Sequence, residues 1–455
     1  MLANFLKRLF GAEVTPRSRQ DEFARLNREA PIRPSDIPPS GEASAPDGFV
    51  CRETLLGRDQ RVAAYHFLLQ QGTRTRIAKR SRRIHHVYAE VLVRNLIRMD
   101  VAKLLGHRLA VIELPDSFLD HPSIRQLPAK TLVLNVVAVP DTGAPRPEDV
   151  LEKIRALKRE GFRIAADVQP TETPSAYLLG EADIAIVRAD SVDPRRLRDF
   201  VASMGERRKG LQWLARGLPS HDEFSLCFNL GASFFQGPFI TRREDWSGNQ
   251  LGPNSARLAD LLSRLRRDVD TREIAEQLKQ DPALSLRLIR YINSAAIGLR
   301  EEVTSIERAV LQLGREKLYR WLTLLLYGAD AGNAAAPALL ESALVRARML
   351  ELLGEGLPAA QREALFLVGL LSLVDAVLKV PMETALAQLA ASPEIVAAVT
   401  SSEGPMAALL GLAIACEGDD QDAIAQAAEV CGVDSETASE AHLQALAWAL
   451  EVTRE

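Results

Sequence analysis

The sequence predicts an α/β barrel followed by an all-α domain, and three observations carry that fold class. Six short apolar runs, VAAYHFLL, RLAVIEL, TLVLNVVAV, RIAADV, DIAIVRA and GLQWLAR, alternate with helical or polar stretches between Phe49 and Arg243. After Arg243 the strand-like runs stop, and helical periodicity holds almost throughout residues 255–455. No apolar run reaches the ~18–20 residues that a membrane-spanning helix needs. Buried strands alternating with helices make βαβ units and a parallel sheet, and six repeats in so short a stretch suit a small closed barrel better than an open sheet.

The elements follow in chain order. Leu2, Phe5, Leu6 and Leu9 recur at helical spacing in residues 1–11, with Lys7 and Arg8 on the other side. Residues 12–48 lose periodicity and carry IRPSDIPPSGEASAPDG, a Pro/Ser/Gly-rich linker. The tethered helix is compatible with a membrane surface, a groove on a partner or on the chain itself, or a frayed terminus; the groove is favoured over the membrane, because two cations on one short helix anchor weakly to lipid. The barrel then occupies residues 49–245, with helices expected at HHVYAEVLVRNLIRM and RPEDVLEKIRALKREG and a left-handed stop at Gly161. The helical domain takes residues 255–455, and the boundary near 244–254 is expected to separate two folding units. Asp281-Pro282 and Ser392-Pro393 place Pro at a first helical position. Thr304 and Glu307 are spaced as a capping box. Residues 328–338 read as a loop, and the apolar run from Trp321 to Tyr327 as buried core.

Composition narrows the function classes. The chain has 455 residues, 47% hydrophobic and 25% charged, which excludes a collagen-like or wholly disordered chain. MLANFLKRLFG lacks the apolar region and cleavage site of a secretory signal, so a cytoplasmic location is expected. Cys51, Cys227, Cys416 and Cys431 show no CxxC spacing, which argues against a disulfide scaffold or a zinc site and for reduced, mostly buried thiols. The net charge of −4 implies no nucleic-acid partner. Charge is nevertheless uneven. Arg74, Arg76, Lys79, Arg80, Arg82 and Arg83 form a basic run suited to a phosphate, an acidic partner or a solvated face. Neither His66 nor the adjacent pair His85-His86 has metal-ligand spacing, since neighbours on a helix point apart.

Two passages then carry a resemblance. Leu56-Gly57-Arg58-Asp59-Gln60-Arg61-Val62-Ala63-Ala64-Tyr65 and LARGLPSHDEFSLCFNLGASFFQGPF resemble the start and end of an EAL domain, the barrel of cyclic di-GMP phosphodiesterases. DPALSLRLIRYINSAAIGLREEVTSIERAVLQLGREKLYRWLTLLL, with FLVGLLSLVDAVLKVPMETALAQLAASPEIVAAV, resembles an HDOD domain. Together they resemble the two-domain EAL–HDOD signalling proteins of bacteria.

The resemblance implies that an active barrel holds two divalent ions on carboxylate and amide oxygens, which activate a water against a phosphodiester. Carried over position by position, the signature Glu falls at His66, the Asn ligand near Glu113, the next Glu at Asn135 and the Asp-Asp pair at Asp167-Val168. The water-orienting Lys falls near Ile186, the late Glu at Pro219, and the Gln is kept as Gln236. Asp167 and Gln236 are the ligand-binding remnants, and one carboxylate with one amide cannot hold two ions. In the helical half the His-Asp dyad of active HD hydrolases falls at Ser372-Leu373, and no histidine lies between His221 and His442. The resemblance therefore implies a degenerate barrel with no catalytic residues, no metal and no cofactor. The expected function is non-catalytic signal transduction in which the two domains bind a regulatory protein; the alternatives are a cyclic di-GMP sensor that binds without hydrolysis and, less favoured, an active phosphodiesterase.

Overall fold

The computed structural model describes residues 50–69, 82–139, 144–170, 176–189, 192–241, 250–293, 302–329, 333–418 and 421–453. The expected first helix and linker, and residues 74–81 of the basic run, lie outside the described residues. The strands close into a barrel in chain order. They are β1 Val50–Gly57, β2 Val62–Leu69, β3 Leu109–Pro115, β4 Leu132–Val137, β5 Arg163–Asp167, β6 Ile184–Arg188, β7 Gln212–Arg216 and β8 Phe234–Gln236. β1 runs antiparallel to both β2 and β8, whereas the successive pairs from β2 to β8 are parallel. All six expected strands are present. β1 and the three-residue β8 are additions, the latter too short to show a period of its own.

The β1–β2 hairpin turns through Gln60 at a φ of 59°, and the Gly57 amide donates to the Arg61 carbonyl at 2.9 Å. Arg58, at its tip, donates to the carbonyls of Phe228 and Ala232 at 3.2 and 2.8 Å and lies 4.2 Å from the Phe228 ring centroid. This clasp fastens the antiparallel strand to the segment that leads into β8, which is where the barrel closes. Outside the sheet lie α1 Arg82–Arg98, α2 Val101–Leu105, α3 Pro147–Arg159, α4 Pro194–Arg207 and α5 His221–Asn229. α1 and α3 match the expected helices. β3 and β4 are joined by 3-10 turns instead of a helix. Leu55, Ala64, Val111, Val133, Ala165, Ile184, Ile186 and Leu214 fill the barrel interior; full burial of each aliphatic side chain contributes ~1.5–3 kcal/mol.

The chain after residue 250 is helical: α6 Pro253–Arg266, α7 Thr271–Lys279, α8 Pro282–Ile292, α9 Ile306–Leu313, α10 Arg315–Leu326, α11 Ala336–Leu353, α12 Ala359–Leu371, α13 Val374–Leu378, α14 Met382–Gln388, α15 Pro393–Val396, a π turn at Ala397–Ser401, α16 Pro405–Glu417, α17 Gln421–Cys431 and α18 Ser435–Thr453. By compactness, Gly48–Asp270 and Arg315–Leu450 belong to one unit, and Thr271–Gly314 to another.

Within Thr271–Gly314, Asp281 caps α8 by accepting from the Leu284 amide at 3.0 Å. Asn293 clasps both backbone groups of Val303, at 2.6 and 2.7 Å, and so ties the end of α8 to the segment that leads into α9. The capping box differs from expectation. Ser305, one residue later than Thr304, caps α9 through the Arg308 amide, and Glu307 pairs with Lys279. With Ser305 at the cap, the third helical position is Arg308, so Glu307 is out of register for the reciprocal bond.

In the other unit the run from Trp321 to Tyr327 is wholly buried. α11 begins at Ala336, inside the stretch read as a loop. α11 and α12 approach so closely at Gly369 that a Cβ there would sit 2.3 Å from the Ala347 amide nitrogen. The barrel and α11 are joined by a buried ion pair, Arg108 to Glu341 at 2.7 Å, with the Arg108 guanidinium 6.0 Å from the centroid of the Tyr65 ring. Among the described residues no single helix is long and apolar enough to cross a membrane. The segments Pro393–Ser401 and Pro405–Glu417 pass such a test only as a pair bent by 43°, and they bury Ile395, Val399, Leu410, Leu412 and Cys416 within the protein.

Removing one partner of a buried pair leaves an uncompensated charge and costs ~3–5 kcal/mol. Glu341→Ala is therefore expected to lower the Tm of the full chain by several degrees, as measured by calorimetry, and Glu341→Ala combined with Arg108→Met is expected to recover much of the loss. Additive losses would show that the pair does not couple the two elements.

Candidate functional site

Side chains alternate across a strand, so each strand that gives an apolar residue to the interior gives a second one two positions along. In this barrel that second position is polar on every strand. Moving toward the C-terminal ends of the parallel strands, Ala64 is followed by His66, Val111 by Glu113, Val133 by Asn135, Ala165 by Asp167, Ile186 by Arg188, Leu214 by Arg216 and Phe234 by Gln236. On the antiparallel β1 the order is reversed, with Glu53 preceding Leu55 and opposite His66. The result is an eight-membered polar ring at the strand ends, the end where ligands bind in barrels of this kind.

Gln236 donates to Glu53 and lies 3.3 Å from Nδ1 of His66. Arg216 reaches Glu53 at 3.9 Å. Burial raises the pKa of Asp167 above its ordinary value; Arg216 and Arg188 pull it down, and Glu113 pushes it up. Three charged groups, Arg216, Glu113 and Arg188, thus act on Asp167 at the mouth. Asn135 is fully buried, and neither polar atom of its amide has a hydrogen-bond partner among the described residues. A buried amide left so costs ~1–3 kcal/mol per group.

The two remnants read from the sequence, Asp167 and Gln236, are both in the ring. The ring also contains Glu53, Arg188 and Arg216, which the sequence reasoning did not single out. The signal was present as an apolar residue followed two positions later by a polar one, in I-V-R and L-A-R. Ile186 faces the apolar interior, and Pro219 follows β7 in the loop. Arg74, Arg76, Lys79 and Arg80 lie outside the described residues, and Arg82 and Arg83 open α1. His86 is not a plain surface residue: it packs edge-on against Phe118 at 4.9 Å, and burial lowers its pKa.

Divalent ions of the kind an EAL-type site requires do not fit this ring. Glu53 is already held by Gln236 and Arg216, Asp167 stands beside two guanidinium groups, and a cation between them would be repelled by both. Among the described residues no three His, Cys, Asp or Glu side chains converge on a point that could hold a metal.

Beside the ring is a cavity of about 450 Å³. The barrel contributes Arg188, Arg216, Gln236 and Gly237 to its wall, and the helical half contributes Ser342, Ile414 and Glu417. At Gly237, with a φ of 154°, a Cβ would fall 2.3 Å from the Leu218 carbonyl oxygen, so only glycine lets the two loops meet at the cavity edge. Behind Glu417 is a second network. Arg346, buried on α11, donates to both carboxylate oxygens of Glu417 at 2.8 and 2.7 Å and to the Ser372 hydroxyl at 3.1 Å. Burial alone would lower the Arg346 pKa, but the charge and hydrogen bonds of Glu417 outweigh it and raise it. Ser372, the position of the expected dyad, thus serves as a helix-end hydroxyl that also donates to the Gly369 carbonyl.

Residues 256–395 match the HDOD domain family, so the chain carries an HDOD domain after its eight-stranded barrel. Over 411 residues the chain is 23% identical to the protein named cyclic di-GMP phosphodiesterase CdgJ of Vibrio cholerae, covering 89% of this chain and 93% of that one. It is also 23% identical to the uncharacterized protein YuxH of Bacillus subtilis over 409 residues, 88% of this chain and 97% of the relative. Among solved structures, a standalone EAL protein of Vibrio cholerae in its c-di-GMP-bound form matches 42% of this chain and 89% of its own, with 16% identity and a TM-score of 0.35. The c-di-GMP-bound FimX EAL domain of Pseudomonas aeruginosa matches 43% of this chain and 90% of its own, with 14% identity and a TM-score of 0.33.

Asp167 supplies a pH prediction. Its pKa in the folded chain lies above the ordinary aspartate value of 3.8. Its ionisation therefore weakens the fold; the penalty is absent below that value, grows through the window up to the raised pKa and is complete above it. Asp167→Asn is expected to raise the Tm at pH 7 and to lose that gain as the pH is lowered toward about 4. A gain of equal size at both pH values would assign the effect to packing.

Proposed function

We propose that this chain is a cyclic di-GMP signalling protein that binds without hydrolysing and whose helical half presents a surface to a regulatory protein partner. The observation that carries this proposal is the composition of the ring. Where phosphodiester hydrolysis needs oxygens to hold two ions, the mouth sets Arg188 and Arg216 among its carboxylates Glu53, Glu113 and Asp167 and has His66 and Asn135 at two of the positions that the resemblance assigns to ligands. Guanidinium groups there suit phosphate oxygens directly, since a planar fork pairs with them without a bridging cation. The unpartnered amide of Asn135 favours a polar occupant. The relative named as a phosphodiesterase points toward the same ligand, and the departure from its activity rests on the ring residues of this chain.

Two measurements on the purified full chain test this. Cyclic di-GMP is expected to bind in the presence of EDTA, read by calorimetric titration. Turnover with Mg²⁺ or Mn²⁺ is expected to stay at the uncatalysed rate, and His66→Glu alone is expected not to restore it, because the two guanidinium groups remain. A metal-dependent rate abolished by Asp167→Ala would overturn the non-catalytic assignment.

A further inference from the structure

The cavity beside the ring has two chemically different walls. On the barrel side are the cations Arg188 and Arg216, the latter 6% exposed and therefore partly desolvated, together with Glu53, whose carboxylate is held by Gln236 and lies 3.9 Å from Arg216. On the helical side are a hydroxyl, Ser342, a carboxylate, Glu417, and an aliphatic side chain, Ile414, that is 45% exposed on a helix that buries Leu410, Leu412 and Cys416. A phosphate fits the first wall and would be repelled by the second. A flat apolar body with N–H donors on its edge fits the second, lying on Ile414 with its edge toward the carboxylate.

We propose that the helical domain completes the nucleotide site and reads the base. The phosphodiester lies on Arg188 and Arg216, and the base lies against Ile414 with its Watson–Crick edge on Glu417. This deepens the cyclic di-GMP assignment above and rests on it. Glu417 is equipped for the task. A carboxylate has about four acceptor sites; Arg346 uses one on each oxygen, fixing the group's orientation and leaving the others for a ligand. Guanine presents two adjacent donors, N1–H and the 2-amino group, which match a carboxylate. Adenine presents an acceptor at N1, which faces a carboxylate with an unpaired lone pair. Base discrimination in this protein is therefore assigned to a residue outside the barrel, and the buried Arg346 behind it carries the contact to Ser372 at the end of α12.

The test is calorimetric titration of the full chain with cyclic di-GMP and cyclic di-AMP in EDTA. The wild type is expected to prefer the guanine dinucleotide by at least about tenfold, well within what a site built for hydrogen bonds can achieve against a mismatched edge. Glu417→Gln is expected to narrow the preference to about threefold or less, because an amide can donate to adenine N1 as well as accept. Because Glu417→Gln loosens a buried pair, Ile414→Asp serves as the second variant. Its site is half-exposed, and it is expected to weaken both ligands by about tenfold or more through lost apolar contact and added like charge. Arg216→Ala is the control on the barrel wall. If Arg216→Ala abolishes binding while Glu417→Gln and Ile414→Asp behave as wild type, the barrel alone holds the ligand; the composite site is then wrong and the functional assignment stands. If the wild type binds neither dinucleotide, both are overturned.

Discussion

Closure of an eight-stranded sheet fixes almost everything else in the barrel half. A closed sheet has an inside, and strand alternation sends every second side chain into it. Once Leu55, Ala64, Val111, Val133, Ala165, Ile186 and Leu214 occupy one interior layer, the residues two positions farther along must meet at the mouth, whatever their chemistry. Here closure depends on a strand that runs the wrong way. β1 is antiparallel to both neighbours, so its register is set by the hairpin and by the Arg58 clasp onto the Phe228 and Ala232 carbonyls. That register puts Glu53 opposite His66 and beside Gln236, and the Glu53 carboxylate is consumed there by neutral and cationic donors.

Most of this was legible in the sequence at the level of elements. The six strand runs and the two long helices of the barrel half follow from periodicity, and the switch to an all-helical texture after Arg243 locates the second half. The misses have physical causes. β8 has three residues, too few for any period. The α9 cap slipped by one because Thr304 and Ser305 both have a capping hydroxyl, and only the backbone path decides between them. The ring was half legible: Asp167 and Gln236 were found as remnants, whereas Glu53, Arg188 and Arg216 gain significance only once closure brings eight strands to one mouth. A strand read alone cannot say whether its terminal arginine faces solvent or a cavity. Arg346 and Glu417 were invisible for a related reason, since 71 residues separate them and neither has a local pattern.

The helical half has its own polar centre. Arg346, Glu417 and Ser372 form a buried network in which each member satisfies another, the condition under which buried charge is tolerated. The Ser372 hydroxyl accepts a hydrogen bond from the Arg346 guanidinium and donates one to the Gly369 carbonyl. Close approach of α11 and α12 at Gly369 places that serine within reach of the arginine, so backbone packing and polar satisfaction depend on one another.

Both halves thus contain a polar centre whose groups hold each other. The two centres are not equivalent in what they leave open. Around Arg346 the guanidinium holds the Glu417 carboxylate and ties the serine, with Arg346 and Ser372 buried and Glu417 part-buried at the cavity wall. At the barrel mouth Arg188 and Arg216 stand among the carboxylates Glu53, Glu113 and Asp167, Asp167 is pushed toward its protonated form by burial, and the Asn135 amide is unpartnered among the described residues. Where Asp167 is protonated, the guanidinium groups of Arg188 and Arg216 lose a counter-charge, so the field at the mouth becomes more positive as pH falls. An anion is the species whose approach such a change favours, and Glu417 lies on the far wall of the same cavity.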